Sequence, residues 1–264
     1  YTAQTEALAD MDEWMRVFCV EHLVGNWDAY GYNRGKNMYG YKGRDGRWHL
    51  MAWDIDFVLG SGSDGPTTSM FGSNDPTITR MYNHPPFRRA YFRAMYEAVN
   101  GPLQDAKVAA ITDPKYSALL ANGIAVSSPA STKSWIQSRR SYLQSQLDGV
   151  AANFDITSNG GANYSSSQNL ITLTGNAPVQ VKTIKINGVE FQMTWTGVTS
   201  WSTKVALGPG ANALTLTAYD SAGNPIAGLS DTITVTYTGT PQLPQDYLVL
   251  NEIMYNPTVP DAGF

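Results

Sequence analysis

The stretch NWDAYGYNRGKNMYGYKGRDGRWHLMAWDIDFVLG, from Asn26 to Gly60, decides how the first half of this chain is read. It opens on a loop in which Asp28 stands five residues before an amide, Asn33. Asp45-Gly46 is a strong hairpin signal, and it joins predicted strands over 38–41 and 47–53. The stretch closes on Trp53-Asp54-Ile55-Asp56-Phe57. Residues two apart on a strand share a face, so Trp53, Ile55 and Phe57 are predicted to face a core while Asp54 and Asp56 point the other way together. Two such carboxylates repel unless they are solvated or share a cation, and a hard cation such as Mg2+ takes oxygen ligands of this kind. For the triplet alone, a half-exposed edge strand is the plainer reading.

Upstream, residues 1–24 read as one amphipathic helix, with Leu8, Met11, Met15 and Phe18 recurring at three- and four-residue spacing and Gly25 ending it. Downstream, Ser61 to Asp75 is rich in Gly, Ser, Asp and Thr and reads as a surface loop. Pro85-Pro86 then starts a helix whose Phe87, Tyr91, Met95 and Val99 share one face. Asp113-Pro114 is predicted to open a further helix that stops near Asn122-Gly123. A last long helix carries Trp135, Ile136, Leu143 and Leu147 as its apolar stripe.

Past Phe154 the helical period vanishes. Runs such as NLITLTG, VKTIKING, ANALTLTAYD and DTITVTYTG are β-branched or alternating, and Asn-Gly, Pro-Gly and Gly-Asn turns bound them. The expected architecture is multidomain. A mainly α lobe with a small β-hairpin spans 1–153, and an all-β immunoglobulin-like sandwich spans 154–240. A linker follows over 241–246, and 247–264, opening YLVLNEIMYNP, reads as the first strand of another unit.

Composition narrows the function classes. Charged residues are 15% of the chain and the net charge is −4, which argues against a nucleic-acid binder with its basic patch. No run of about 18 apolar residues exists to span a membrane. The single cysteine, Cys19, can form neither an intrachain disulfide nor a Cys-rich zinc site, and it reads as a small buried hydrophobe. His22, His49 and His84 form no spaced metal pair, and His49 reads as strand trim. Neither a G-x-S-x-G elbow nor a P-loop occurs. Arg139 and Arg140 are expected to salt-bridge or cover the lobe surface, with phosphate binding as the alternative. In the β region, Trp195, Trp201 and Tyr219 are either core or a glycan-stacking platform, core being the commoner use. The chain opens without Met and closes inside a new segment, so it reads as a piece of a longer protein.

Asp28 and Asn33 have the D-x-x-x-x-N spacing of a kinase catalytic loop. There the Asp accepts the proton of the acceptor hydroxyl and the Asn binds a metal that bridges nucleotide phosphates. The pair alone is weak, since Asp and Asn also fill turns. The order of elements adds to it: helix, Asp/Asn loop, hairpin, metal-type Asp, Gly60, loop, helices.

At NWDAYGYN, KNMYGY, GRWHLMAWDIDFVLG and SRRSYLQSQL the chain resembles the CotH family, spore-coat-protein-H-like atypical kinases. The resemblance covers about residues 1–150 and implies the C-terminal lobe of a kinase-like fold. It implies transfer of the ATP γ-phosphate, with Mg2+ or Mn2+, to Ser or Thr hydroxyls of a protein. Carried over by position, Asp28 is the catalytic base, Asp54 the metal-binding Asp, and Asp56 a second ligand or its orienter. Asn33 and Asn37 are alternative nucleotide- and metal-binding amides. The glycine-rich loop and Lys of an N-terminal lobe would lie upstream, so this piece alone is expected to be inactive. YLVLNEIMYNP resembles the opening of a lamin-tail domain. Such assemblies imply an extracellular or envelope location in a bacterium, with cell-surface or glycan partners through the β-domains. Two other classes are weighed: a non-catalytic scaffold or adhesion protein with a degenerate kinase fold, and a carboxylate-pair glycosidase using Asp28 with Asp54 or Asp56. The element order disfavours the glycosidase.

Overall fold

The computed structural model describes residues 1–32 and 36–241. Asn33 and the segment resembling a lamin tail lie outside the described residues. Among the described residues, six α-helices and a hairpin form the N-terminal part and two sheets form the C-terminal part, so the expected lobe-then-sandwich class holds.

The first 24 residues are two helices rather than one, α1 (Thr2–Leu8) and α2 (Met11–Leu23). The break is a capping event: the Asp10 side chain accepts from Glu13 N–H, satisfying an N-terminal donor of α2. Asp10 N–H turns to the carbonyl of Trp48 instead of continuing a helix, and Trp14 Nε1 donates to that same oxygen. These bonds seat the hairpin on α2. Its strands β1 (Met38–Lys42) and β2 (Trp48–Ala52) pair antiparallel, Met38 opposite Ala52 and Lys42 opposite Trp48.

Three further helices pack beside α2, and one lies outside. α3 (Pro76–Asn83), capped by the Asp75 side chain on Thr77 and Ile78 N–H, was not legible as a separate element. α4 (Pro85–Val99) buries Phe87, Tyr91, Met95 and Val99 against Met15, Phe18 and Cys19 of α2, as its spacing predicts. α5 runs from Asp105 to Ala121, so Pro114 is internal and not the helix start. Proline removes one N–H, leaving the carbonyl of Ala110 without its helical donor. Ala110 is exposed, so water can reach that oxygen. α6 (Ala130–Asp148) buries Ile136, Leu143 and Leu147.

The sandwich has a four-stranded sheet of β3 (Asp155–Ile156), β5 (Leu170–Asn176), β9 (Ser200–Ala206) and β8 (Thr194–Trp195), in that order. Facing it is a five-stranded sheet ordered β4 (Tyr164–Ser166), β11 (Pro225–Tyr237), β10 (Gly210–Tyr219), β6 (Thr183–Ile186), β7 (Val189–Glu190). Alternate residues face inward. Leu173, Trp201, Leu214, Leu216, Ile233 and Val235 make the core, so Trp201 is core and not a stacking platform.

One side of α4 joins the two parts. Arg89 is buried, and its guanidinium donates to the carbonyls of Ala177, Pro178, Val181 and Val198 at 2.6–3.1 Å while lying 3.5 Å from the Trp195 ring centroid. One turn on, Arg93 pairs with Asp12, whose second oxygen takes Lys182 at 2.5 Å. A further turn on, Glu97 holds Arg16 of α2 and accepts from Ser221. Val179 of the sandwich packs into the helical core.

Candidate functional site

The loop after α2 turns on Gly25, whose φ of +73° favours a residue without a Cβ. Asn26 N–H returns to the carbonyl of Glu21, Ala29 N–H to that of Asn26, and Tyr32 N–H to that of Ala29. Beneath this turn the buried Asn26 donates through Nδ2 to Glu21 Oε2 at 2.6 Å. Burial raises the Glu21 carboxyl above its ordinary pKa, with the Asn26 bond opposing.

This turn leaves Asp28 only 9% exposed. Its Oδ2 meets Lys36 Nζ at 2.6 Å and Asn37 Nδ2 at 3.2 Å, and the same amide also donates to the Asp28 carbonyl at 3.2 Å. Asn37 sits at φ +60°, a left-handed conformation that Asn adopts more readily than most residues. Of the two amides expected near Asp28, Asn37 is therefore in direct contact.

Asp54 and Asp56 are placed otherwise than alternation predicts. β2 ends at Ala52, and both carboxylates lie on the exposed loop that follows. Asp54 itself is at φ +60°, outside the β region, which ends the period-two pattern there. Trp53, Ile55 and Phe57 are consequently exposed at 55%, 42% and 52% instead of facing a core. Trp53 meets Tyr39 edge-on with ring centroids 5.0 Å apart. Asp56 Oδ1 accepts from Phe57 N–H at 2.9 Å, orienting that carboxylate locally.

The two acidic segments are joined through backbone and packing. Leu59 N–H donates to the carbonyl of Val24 at 2.8 Å. A Cβ on Gly62 would lie 3.1 Å from Trp27 Cδ1, so the loop passes close over the residue before Asp28. Trp135 of α6 packs against both Gly25 and Gly60, where added Cβ atoms would stand 3.1 and 2.9 Å from its ring.

Arg139 departs most from its sequence reading. Instead of covering the surface it is 1% exposed and donates to backbone carbonyls of two segments, with no ion pair among the described residues. The double-Arg pattern gave no hint of which arginine is buried. Arg140 is half-buried and donates to the carbonyl of Val99 at 3.0 Å. His22 is fully buried, stacked on Tyr32, with its ring nitrogens on the carbonyls of Phe18 and Gly72. Burial drives its pKa down to about 4, which keeps the ring neutral at pH 7, so a single N–H donates to one of these two carbonyls. Cys19 is a buried thiol pushed up to about 12 by desolvation, hence unreactive. His49 is more than trim, since it bridges Glu13 at 2.5 Å and Asp45 at 3.2 Å.

A family model described as CotH kinase protein matches residues 1–148. The chain belongs to the CotH kinase family. The CotH match ends at Asp148, the last residue of α6, and takes in Asp28, Lys36, Asn37, Asp54 and Asp56. Among solved structures, fibronectin(III)-like modules of Clostridium thermocellum CbhA match at 11% identity and a TM-score of 0.26, covering 33% of this CotH chain and 99% of that chain. The comparison with curated proteins gives no match.

Oxygen donors are the chemistry Mg2+ selects, and it is commonly held by one or two carboxylates while keeping several waters. Asp54, Asp56 and the Asn37 amide oxygen fit that donor set. Among the described residues no group of three or more His, Cys, Asp or Glu side chains converges. No described helix is long and apolar enough to cross a membrane.

Proposed function

We propose that this chain is the C-terminal lobe of a protein kinase that phosphorylates Ser or Thr hydroxyls of a protein substrate, with Asp28 as the catalytic base. The observation that carries this reading is the Asp28 carboxylate in a CotH lobe, gripped by Lys36 and Asn37 on a turn folded over the buried Glu21–Asn26 pair. A base must meet the hydroxyl proton in one orientation. A charge-assisted bond from Lys36 and an amide bond from Asn37, both to Oδ2, hold the carboxylate in one orientation. Asp54 and Asp56, with Asn37 or Asn33, would hold Mg2+ or Mn2+ and the phosphates of ATP. When bound, the metal would neutralise charge on the transferring phosphoryl group. The exposure of Asp54 and Asp56 leaves their oxygens accessible to a hydrated cation.

An extracellular or bacterial-envelope setting accords with the low charge content and with the β-sandwich that follows the lobe. The test is incorporation from γ-labelled ATP with Mg2+, using the full-length natural protein and its Asp28→Ala and Asp54→Ala variants. Incorporation abolished in both variants supports the assignment. Equal incorporation in all three rules out these residues, and none in the wild type favours the non-catalytic scaffold.

A further inference from the structure

Helix α6 carries none of the proposed reacting groups, yet it touches both segments that do. Arg139 donates through Nη2 to the carbonyl of His22 at 2.6 Å and through Nε to that of Leu23 at 3.2 Å. These are carbonyls of the last turn of α2, immediately before the turn to Asp28. Its Nη1 donates to the carbonyls of Pro66 at 3.1 Å and Thr68 at 2.5 Å, and Nη2 reaches the sulfur of Met70 at 3.0 Å. Those residues belong to the loop that continues from Asp54 and Asp56. One turn earlier on the same helix, Trp135 fills the space between Gly25 and Gly60 and donates from Nε1 to the carbonyl of Asp64 at 3.4 Å.

We infer that Arg139 and Trp135 form a clamp that sets the position of the Asp28 turn relative to the Asp54–Asp56 loop, making Arg139 a positioning residue of the phosphoryl-transfer site. The catalytic half of this inference rests on the kinase reading above; the clamp itself does not. Carbonyls of a helix's last turn and of a loop lack the i+4 helical donor, though the His22 carbonyl also accepts from Gly25 N–H. One planar guanidinium with five donors in a fixed fork can tie both to a common point. A lysine has a single nitrogen, and cannot reach four carbonyls spread across two segments. Small displacements of reacting groups slow chemistry steeply, so a clamp remote from substrate can still govern turnover.

The experiment compares the natural protein with its Arg139→Lys, Arg139→Met and Trp135→Leu variants by hydrogen exchange, followed by steady-state kinetics. The clamp predicts faster exchange in residues 22–29 and 60–70 of all three variants, while the sandwich strands keep wild-type protection. Lys is expected to rescue part of what Met loses. Kinetically, kcat for phosphate incorporation should fall on the order of tenfold or more in Arg139→Lys, with the KM for ATP unchanged. Trp135→Leu, which keeps the guanidinium, serves if the Arg139 variants fail to fold. Unchanged exchange in both segments, or loosening in only one of them, overturns the clamp. Localised exchange with unchanged kcat overturns the positioning role. A wild type without phosphotransfer defeats the kinase reading and the positioning role with it, leaving exchange to decide the clamp.

Discussion

The backbone N–H of Leu59 donates to the carbonyl of Val24 across 2.8 Å, so the loop after the hairpin is hydrogen-bonded to the end of the helix before it. The chain between these residues carries the hairpin, Asp28, Asp54 and Asp56. Everything proposed for the site depends on this closure, and so do several measurable consequences.

Gly60 is a close-packed point of this closure. Its φ is +91°, and a Cβ there would stand 2.9 Å from Trp135 Cδ1. Gly60→Ala should destabilise the lobe by about 1–3 kcal/mol, through an unfavourable backbone conformation and forced movement of the indole. Denaturant unfolding followed by tryptophan fluorescence measures this, and an unchanged midpoint would refute it.

Arg89 should behave as a structural weld. Arg89→Met removes the guanidinium donor from four carbonyls of the sandwich, of which Pro178 keeps the Val181 N–H, an expected loss on the order of 3 kcal/mol. If lobe and sandwich depend on this contact, unfolding followed separately in each part is coincident in the wild type and separates in the variant. Coincident transitions in the variant, at the wild-type midpoint, would show that Arg89 is dispensable.

His22 and His49 should respond to pH with opposite sign. His22 has a folded pKa near 4, lowered by burial from an unfolded value near 6.5. The unfolded state therefore binds the proton first. The contribution of His22 is fully present above about pH 6.5 and is lost as pH falls toward 4, by about 3 kcal/mol. His49 is raised by its bonds to Asp45 and Glu13, so its contribution is present below about pH 6.5 and lost as pH rises through its folded pKa. An NMR titration should place the two imidazoles on opposite sides of the ordinary value. A His22 ring titrating near 6.5 contradicts the burial argument.

Lys36 should matter for the site without mattering for the fold. Its side chain is half-exposed and pairs with Asp28. Lys36→Met is expected to leave thermal stability within about 0.5 kcal/mol of wild type, as for a surface substitution. In a protein that incorporates phosphate it should lower kcat through the loosened Asp28 carboxylate. A variant of unaltered kcat would remove Lys36 from the site.

Much of the fold was legible in sequence because periodicity reports burial directly. Phe87, Tyr91, Met95 and Val99 share a helix face by spacing alone, and all four are core. The Asp45-Gly46 turn located the hairpin to within a residue at each strand end. The Asp10-x-x-Glu13 pattern was a readable cap that marks the break between α1 and α2. Pro114 misled because proline favours helix starts, yet an exposed helix tolerates one missing bond.

The sequence by itself determined the class of each half, the hairpin and the family to which the motif Asn26–Gly60 points, because turn chemistry and apolar spacing are local properties. Tertiary structure alone decided that Asp54 leaves the strand in a left-handed conformation, that Lys36 returns to Asp28, and that Arg89 and Arg139 are buried among carbonyls. A charged residue is read from sequence as solvated, since burying it alone is costly. Only the assembled fold supplies several backbone acceptors at one point, and those acceptors reverse that expectation.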